Sequence, residues 1–596
     1  MSAPTSIRVD RAIGVLLGLT CGDALGVPNE FQATLGPNQP PEMKGGGLGP
    51  YAPGEYSDDG QMAVCIAQVA ATGMDLTSDA ALDAIAERFI AWAEGGASDI
   101  GAQTSAVLGR ARRLDGSAGQ RLRQAAADYY AENPSHAAGN GALMRTGVVG
   151  ICAIEDRNGT AAAARAIAEL THADPLAGDS CVLWCEAIRV AVLEGRFDVE
   201  SGLDLVPEER RTKWQVWIDD ATGAHPGRFV KNGFTAGALQ AAWAAITSSP
   251  TPADDPAGGS FPCQHLRLAL EAAVRIGHDT DTVAAITGSL LGARWGGSAV
   301  PAAWRRILNG WSGCADQAVY HARDLVGLAV HALRRGVDDD RGWPGAASIA
   351  YGLTPTPGVP HPADAGVLLG TAAPDGDEFD AVVTLCRLGH SEQWASHVAP
   401  SDHVEVWLMD KEDPDRNPNR HFVIEDAART LAVLRSEGKR VWLHCVAAHN
   451  RTPTVAARYG VLCGSKPCVA KHEVGDALRL AWTPTETLWK AVDELGERMP
   501  DRRQAPRRTS SCEICLQPTW LSWRARQEAI VSDHRDSPRT GSYSNGQCHG
   551  CDTHILMKDG HCSWCEFFSY CNFERWIQPL PEEIRPGPSA TRARAG

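Results

Sequence analysis

The chain has 596 residues, which is too long for one hydrophobic core and predicts three or four domains. Hydrophobic residues make up 44% and charged residues 21%, the composition of an ordinary globular protein. A formal net charge of −16 disfavours nucleic-acid binding across the whole surface. No uninterrupted apolar run reaches the length of about 18 residues that a membrane span requires, so no membrane association is predicted.

The cysteines point to a reducing compartment. Most of the 18 are scattered singly, and the rest cluster in pairs near the end of the chain. This pattern predicts reduced thiols in the cytoplasm together with a metal site, because a disulfide framework would pair cysteines throughout a small domain. The apolar segment Ala12–Cys21 leads into Gly22 without a small-residue cleavage site, and we interpret it as the first buried helix rather than as a signal peptide.

Residues 1–338 have a helical pattern. Apolar residues recur at three- and four-residue spacing with abundant alanine, and strand-like alternation is scarce. We therefore predict an all-α domain of about a dozen helices or more. The most periodic segments are Leu82–Glu94, Ala161–Leu170, Cys181–Glu194, Gly233–Thr247, Leu266–Ile276, Thr282–Trp295 and Ala315–Arg335.

Two acidic clusters lie far apart in this region, at Ser57–Asp59 and Asp279–Thr282. Each offers two carboxylates and a hydroxyl, an all-oxygen ligand set that suits Mg²⁺ or Mn²⁺. A single Asp-Asp pair is more often a solvated turn or a helix cap. Two matching clusters at loop-to-helix junctions instead predict one binuclear centre, and the helix start at Asp281 also favours anions such as a substrate phosphate.

Further sequence blocks accompany these clusters in a fixed order. They are Gly22–Phe31, Pro53–Met62, Asp99–Gly101, Gly139–Arg145, Thr171–Pro175 and Gly277–Thr282. This ordered set, over about residues 8–335, closely resembles the ADP-ribosylglycohydrolase family, which includes the dinitrogenase reductase-activating glycohydrolase and ADP-ribosylarginine hydrolases.

The resemblance implies cleavage of the glycosidic bond at ribose C1″ of an ADP-ribosylated side chain. It implies two Mg²⁺ or Mn²⁺ ions that bind ribose hydroxyls and activate a water. The implied metal ligands are Ser57, Asp58, Asp59, Asp279, Asp281 and Thr282. Ser57 stands where threonine is frequent, and it keeps the hydroxyl.

The same resemblance assigns roles to residues outside the two clusters. Glu30 would be a gating or acid–base carboxylate near the metals, and Asp99 would orient the substrate. His172 would line the ribose–phosphate pocket. The backbone amides that would cradle the diphosphate belong to Gly139, Asn140, Gly141 and Ala142.

The composition changes at residues 339–363, a segment rich in Gly, Pro and Asp that we interpret as a linker. From 364 to 497, short β-type runs alternate with amphipathic helices, which predicts an α/β domain with a mostly parallel sheet. The predicted strands are Gly366–Gly370, Phe379–Cys386, Val404–Met409 and Arg440–Val446, and the helices are Phe422–Arg435 and Thr452–Leu462.

Within this domain, a buried-strand signal at Val441–Leu443 leads into a loop in which five residues separate Cys445 from Arg451. Loop amides and a helix N-terminus in this arrangement form a phosphate cradle. Its positive environment favours the nucleophilic thiolate. Arg451 can grip two phosphate oxygens at once.

Residues 364–495 resemble the cysteine-dependent dual-specificity and tyrosine phosphatases. The resemblance implies that Cys445 is the nucleophile and that Arg451 and Thr452 bind phosphate. Asp410 matches the general acid by order and spacing, and nearby acidic residues compete for that role. These rivals are Asp413 and Asp415.

Ala448 departs from the phosphatase pattern, which prefers glycine three residues after the cysteine. If this position requires a positive φ, alanine costs about 1 kcal/mol and distorts the amide cradle. The alternative to an active phosphatase is therefore a loop that binds phosphate without turnover.

The third region, residues 505–580, contains three Cys-x2-Cys pairs. Two of them, separated by ten residues, predict a small zinc-ribbon-like module held by structural Zn²⁺. The first choice of ligands is Cys548, Cys551, Cys562 and Cys565. A second site could use Cys512 and Cys515 with Cys571 or a histidine, and residues 581–596 are predicted to be a disordered tail.

The leading hypothesis is a cytoplasmic bifunctional hydrolase. It removes ADP-ribose from a protein, with arginine as the expected modified side chain, and its fused domain acts on a phosphorylated substrate. One alternative is an enzyme that acts on small ADP-ribose derivatives. The other is a non-catalytic sensor of ADP-ribose or phosphorylated ligands.

Overall fold

The computed structural model describes most of the first 497 residues. The described ranges are 5–36, 38–311, 318–338, 349, 351–386, 388–389 and 395–497, together with the backbone of three later strands. The predicted tail at 581–596 lies outside these ranges. So do most of the predicted zinc ligands, namely Cys512, Cys515, Cys551, Cys565 and Cys571.

Fifteen α-helices and two short strands build the described part of residues 1–338. The helices are α1 (Ser6–Gly26), α2 (Asp58–Ala70), α3 (Asp79–Glu94), α4 (Ala102–Ala111), α5 (Ala118–Glu132), α6 (Leu143–Thr146), α7 (Val149–Cys152), α8 (Arg157–Ala168), α9 (Pro175–Glu194), α10 (Glu208–Ala221), α11 (Thr235–Ser248), α12 (His265–Val274), α13 (Thr280–Trp295), α14 (Ala302–Ile307) and α15 (Ala322–Leu333). The mostly helical character predicted from the periodicity is confirmed.

The prediction of a purely α-helical domain is wrong at one place. Strands β1 (Asn309–Trp311) and β2 (Val319–His321) pair antiparallel, so the helix predicted from Ala315 begins only at Ala322. His321 starts that helix through a capping box, in which its backbone amide donates to the Asp324 carboxylate at 2.8 Å. The sequence around β2 conceals this strand, because only its pairing with β1 distinguishes it from helix.

A glycine ridge on α1 positions the two halves of the helical region. The ridge consists of Gly14, Gly18, Gly22 and Gly26, spaced four residues apart. A Cβ at Gly18 would lie 2.1 Å from the carbonyl oxygen of Gly288 on α13, and one at Gly26 would lie 2.3 Å from the Cα of Asp281. Only glycine permits this backbone approach. The ridge therefore brings the C-terminal end of α1 against the N-terminal end of α13.

Helix α1 is also the element that the sequence leaves open between a signal peptide and a core helix. The segment Ser6–Asn29 is long and apolar enough to cross a membrane by length and composition. Its most apolar 18-residue window is 100% buried inside the fold. This burial agrees with the prediction that Ala12–Cys21 is a buried helix.

The second part of the chain is built on a five-stranded sheet. Its elements are β3 (Val359–His361), β4 (Asp364–Gly370), β5 (Ala381–Thr384), β6 (His403–Glu405), α16 (Arg420–Ser436), β7 (Val441–His444), α17 (Arg451–Leu462), α18 (Pro467–Ala477) and α19 (Glu486–Glu494). The strand order is β3-β4-β7-β5-β6, and every pair except β3–β4 is parallel. The mostly parallel sheet is as predicted. Strand β3 lies within the predicted linker 339–363, and it was not predicted because a proline such as Pro360 is unfavourable in a strand except at the edge of a sheet.

The two parts pack directly on each other. The Ala302 amide at the start of α14 donates to Asp426 Oδ2 of α16 at 2.9 Å. Arg306 pairs with Asp402 at 3.1 Å and with Glu437 at 3.0 Å, and all three side chains are largely buried. These contacts hold the sheet-containing part against α14 of the helical part.

Three antiparallel strands follow at β8 (Tyr543–Cys548), β9 (Thr553–Lys558) and β10 (His561–Cys562). Cys548 pairs with Thr553, and Cys562 pairs with Met557. Four residues of a strand span about 13 Å, so this register holds the backbones of Cys548 and Cys562 apart. The zinc site therefore stays a prediction from cysteine spacing.

Candidate active site

Carboxylates from three separate stretches of chain converge at the meeting point of α1, α2 and α13. Oxygens of Asp23, Asp59 and Asp281 lie within 4.8 Å of one another, and so do oxygens of Glu30, Asp279 and Asp281. Asp281 belongs to both groups. Two adjacent cation sites that share one carboxylate are the arrangement expected of a binuclear centre.

Asp23 is the residue that sequence reasoning missed. It lies on α1, is fully buried, and accepts hydrogen bonds from the backbone amides of Ser57 at 2.9 Å and Gly60 at 2.8 Å. Its carboxylate thus caps the N-terminus of α2 from outside that helix, which fixes the loop that carries the first cluster. The signal available in the sequence was the glycine ridge around Asp23, since a residue on such a ridge lies beside the partner helix.

The hydroxyls of the two predicted ligand sets lie among these carboxylates. Ser57 Oγ donates to Asp23 Oδ1 at 2.8 Å and lies 3.3 Å from Asp59 Oδ2 and 3.4 Å from Asp281 Oδ2. Thr282 is buried on the first turn of α13, where its amide donates to Asp281 Oδ1 at 2.9 Å. Both hydroxyls therefore supply neutral oxygens at the edge of the anionic site.

Asp279 is held by two asparagines. Asn140 Nδ2 donates to Asp279 Oδ2 and to the carbonyl oxygen of Asn232, both at 2.8 Å. Asn232 in turn donates to the Gly277 carbonyl oxygen at 3.0 Å. The sequence predicts Asn140 as part of a substrate loop, and the structure gives it the further task of orienting a carboxylate that is predicted to bind metal. Asn232 carried no sequence signal.

Six carboxylates form what we call the carboxylate cluster, and burial together with mutual repulsion raises the pKa of each. Its members are Asp23, Glu30, Asp58, Asp59, Asp279 and Asp281. Burial is the largest cause throughout, and it raises the pKa of Asp23 to about 7 and that of Glu30 to about 8. Crowded buried carboxylates of this kind need positive charge to remain ionised.

The donor set fits divalent cations. Within the described residues, no Lys, Arg or His side chain forms an ion pair with any member of the carboxylate cluster. The Asp59 Oδ1 atom is buried without a hydrogen-bond partner. An unpaired buried carboxylate oxygen beside five other carboxylates lacks the compensation that a bound hard cation provides.

Glu30, Asp58 and Asp99 are three further predicted site residues. Glu30 is 8% exposed, while Asp58 and Asp99 are partly buried. Burial is the largest cause that raises the pKa of Glu30 and of Asp58, and the charge of Asp99 adds to it. The charges of these three predicted residues therefore act on one another.

The predicted substrate loop lies against His172. A Cβ built on Gly139 would lie 3.3 Å from His172 Nε2, and one on Gly141 would lie 3.2 Å from the same atom. In the described chain, the amides of Gly141 and Ala142 donate to no backbone acceptor. The loop therefore presents free amide donors beside an imidazole edge, which suits an anionic ligand.

The second candidate site is the loop between β7 and α17. Cys445 is 2% exposed and directly follows β7, and Arg451 begins α17. Arg451 Nη1 donates to the Leu408 carbonyl oxygen at 3.3 Å. Three buried polar atoms of the loop have no hydrogen-bond partner, and they are His449 Nε2, Arg451 Nε and Thr452 Oγ1. Buried polar atoms without hydrogen bonds beside a helix N-terminus suit a bound phosphate.

Asp410 reaches this loop, whereas its two rivals do not. Asp410 accepts hydrogen bonds from Asn450 Nδ2 at 2.9 Å and from Thr485 Oγ1 at 3.1 Å, and it lies 3.7 Å from Arg451 Nε. The rival carboxylates are exposed in and before a short helical turn that begins at Pro414, and they are Asp413 and Asp415. The placement favours Asp410 as the acid of this site.

Ala448 adopts the left-handed backbone conformation, with φ of 52°. A side chain with a Cβ is strained there by roughly 1–2 kcal/mol. The condition stated from the sequence, that this position needs a positive φ, is met in the structure. Alanine therefore strains the loop that forms the phosphate cradle.

Replacing Ala448 with glycine is expected to stabilise the protein by about 0.5–1 kcal/mol, because the strain is removed at a smaller cost in unfolded-chain entropy. Urea unfolding of the two proteins measures the difference. Ala447→Gly is the matched control, since Ala447 has no positive φ, and it is expected to destabilise by a similar amount. Equal shifts of the same sign in both variants would contradict the assigned strain.

Comparisons with known proteins agree on the helical part of the chain. A family model described as ADP-ribosylglycohydrolase matches residues 4–336. The ADP-ribosylarginine hydrolase Tri1 of Serratia proteamaculans (strain 568) is 25% identical over 312 residues, which cover 50% of this chain and 76% of that protein. The protein of the same name from Pseudomonas putida (strain GB-1) is 27% identical over 299 residues, covering 50% and 73%.

Among solved structures, a chain titled ADP-ribosylglycohydrolase-related protein complex is 24% identical. The alignment covers 55% of this chain and 99% of that one, with a TM-score of 0.37.

Proposed function

Because the chain belongs to the ADP-ribosylglycohydrolase family, we propose that it hydrolyses the N-glycosidic bond between ADP-ribose and an arginine side chain of a modified protein. The observation that carries this proposal is the convergence of two carboxylate groups that share Asp281. The matched relatives, which are named as ADP-ribosylarginine hydrolases, support arginine as the modified residue.

Two divalent ions would be held by Ser57, Asp58, Asp59, Asp279, Asp281 and Thr282. When bound, such ions supply Lewis acidity and offset the crowded negative charge. The described geometry adds Asp23 as the carboxylate that fixes the first ligand loop, and Asn140 as the residue that orients Asp279.

The chain's own residues account for orientation and proton handling. Glu30 lies beside Asp279 and Asp281 and would exchange a proton with substrate or water there. Asp99, whose charge acts on Glu30, would orient the substrate. The free amides of Gly141 and Ala142 would hold the diphosphate away from the carboxylates, which would otherwise repel it.

The second activity that we propose is cysteine-dependent hydrolysis of a phosphate ester at the loop after β7. Support comes from the buried Cys445, from Arg451 Nε and Thr452 Oγ1, which are buried without hydrogen bonds, and from Asp410, which lies 3.7 Å from Arg451 Nε. The strain at Ala448 lowers the expected turnover, because the loop backbone must hold its amides in the phosphate-binding arrangement.

The test is an assay of purified protein against arginine-linked and serine-linked ADP-ribose on protein carriers. With Mg²⁺ or Mn²⁺ present, release from arginine is expected. After chelation, release is expected to fall by at least about 100-fold, because the ions would activate the attacking water and hold the ribose hydroxyls. Added Mg²⁺ or Mn²⁺ should restore it.

Chelation is also expected to lower the melting temperature, since the cations bind only the folded cluster. Chelator-resistant release would contradict the metal assignment. Release from free nucleotide derivatives without release from protein would instead favour a metabolite-processing enzyme. Calorimetric binding of ADP-ribose without any turnover would favour a sensor.

A further inference from the structure

We propose that Arg145 and Thr171 are positioning residues that hold His172 in the tautomer with its proton on Nε2, so that the ring donates a hydrogen bond to the substrate at the Gly139–Ala142 loop. The identity of the substrate rests on the proposed function. The tautomer rests on side-chain geometry alone and can be measured without any substrate.

Arg145 begins the chain of contacts as an obligatory donor. It is fully buried, and its guanidinium stacks over the Phe89 ring with 4.6 Å to the centroid. Its Nη2 donates to Thr171 Oγ1 at 2.5 Å. A guanidinium has no acceptor atom, so the Thr171 oxygen must accept this bond.

Because the Thr171 oxygen accepts from Arg145, its hydroxyl proton is left to donate to the His172 ring. Thr171 is 0% exposed, and its Oγ1 lies 2.8 Å from His172 Nδ1. Among the described residues, no other acceptor lies within hydrogen-bond distance of this hydroxyl. The hydroxyl proton therefore points to Nδ1, which must carry a lone pair, and the ring proton resides on Nε2.

The opposite tautomer would leave the pair unsatisfied. With a proton on Nδ1, the Thr171 oxygen would receive two donors, and its own buried hydroxyl proton would have no acceptor. Leaving a buried donor unpaired disfavours that state by roughly tenfold or more. Arg145 is thus needed, because without its donated bond Thr171 could rotate and either tautomer of His172 could be accommodated.

In this tautomer, the His172 ring directs its Nε2–H group toward the Gly139–Ala142 loop. The Nε2 atom is the one that lies against Gly139 and Gly141, and no described residue accepts a hydrogen bond from it. Burial, with the charge of Arg145 as a second cause, lowers the pKa of His172 to about 3, so the ring is neutral at pH 7. A neutral Nε2–H beside free loop amides attracts a phosphate oxygen, whereas a lone pair there would repel it.

The tautomer assignment is tested by nitrogen NMR of protein labelled with ¹⁵N in its histidine rings. The variant His172→Gln identifies the signal of His172. In the wild type at pH 7, His172 is expected to show a protonated Nε2 and an unprotonated Nδ1. Thr171→Val, which keeps the side-chain shape, is expected to average the two nitrogen shifts. It should also raise KM for ADP-ribosylated protein about tenfold, with kcat changed less than about threefold.

Thr171→Ser is the matched control and should restore both the shifts and KM. Arg145→Met, which removes the donor but keeps an unbranched apolar chain, gives a second route to the same loss if Thr171→Val does not fold. A proton on His172 Nδ1 in the wild type, or unchanged His172 shifts in both variants, would overturn the proposal. Because the shifts are read without substrate, absence of hydrolase activity would refute the proposed function and leave the tautomer assignment standing.

Discussion

Asp281→Asn is expected to reduce the release of ADP-ribose from modified arginine by at least about 1,000-fold. Asp281 is the carboxylate shared by both oxygen groups, so one neutralised side chain weakens both cation sites. Losing several kcal/mol of charge stabilisation corresponds to three or more powers of ten in rate. The measurement is the single-turnover release of ADP-ribose from a protein carrier at saturating Mg²⁺ or Mn²⁺.

A second readout separates this effect from misfolding. Burial first, and then the neighbouring carboxylates, raise the pKa of Asp281 well above its usual range, so an ionised Asp281 is disfavoured in the metal-free fold and asparagine removes that ionisable group. The metal-free variant is therefore expected to be at least as stable as the metal-free wild type, because repulsion within the folded state is reduced. The stabilisation that Mg²⁺ or Mn²⁺ confers should shrink at the same time.

Asp10→Asn is the matched control, because Asp10 is a buried carboxylate at the opposite end of the same helix pair. It accepts hydrogen bonds from the Ser298 amide at 2.8 Å and the Ser298 hydroxyl at 2.6 Å. Its replacement is expected to change release by less than about twofold, since it lies outside the carboxylate cluster. An unchanged release rate in Asp281→Asn would refute the metal assignment.

Cys445→Ser is expected to reduce turnover of an aryl phosphate by on the order of 1,000-fold, because a serine hydroxyl is a far weaker nucleophile than a thiolate. Release of ADP-ribose should be unaffected, since Cys445 lies in the sheet-containing part of the chain. Steady-state assays of the two activities on the same preparations give the result directly.

Cys468→Ser is the control for the loss of a thiol, because Cys468 is exposed in the same part of the chain. Undiminished aryl phosphate turnover in Cys445→Ser would exclude the cysteine mechanism. If the wild type shows no turnover, Ala448→Gly becomes decisive. If Ala448→Gly gains activity, the strained loop explains the inactivity of the wild type. If it stays inactive, the loop is a phosphate-binding site without turnover.

Several features were readable from local sequence. Carboxylates and hydroxyls within four residues identified the type of ligand at Ser57–Asp59 and Asp279–Thr282, because ligand chemistry depends on residue type. Periodicity identified most of the long helices and the alternation of strands and helices after residue 364. A strand, a cysteine, an arginine and a helix in close order identified the phosphate loop, because all of its parts are neighbours in the chain.

Other features depended on contacts between residues far apart in the chain. Asp23 enters the site because a glycine ridge lets α1 approach α13, and Asp281 becomes the shared carboxylate through that same approach. The roles of Arg145 and Thr171 follow from two hydrogen bonds that no local sequence pattern predicts. Strand β2 was taken for helix, since only its pairing with β1 distinguishes it.

The types of chemical group in each site were thus predictable from residue types and their spacing along single helices and loops. The assembly of that chemistry was decided by tertiary packing. Side chains more than two hundred residues apart in the chain share one cation site only where backbones can come within van der Waals distance, and that distance is set by which residues lack a Cβ at the crossing. Local spacing describes each half of the site, and only the packed helices join the halves.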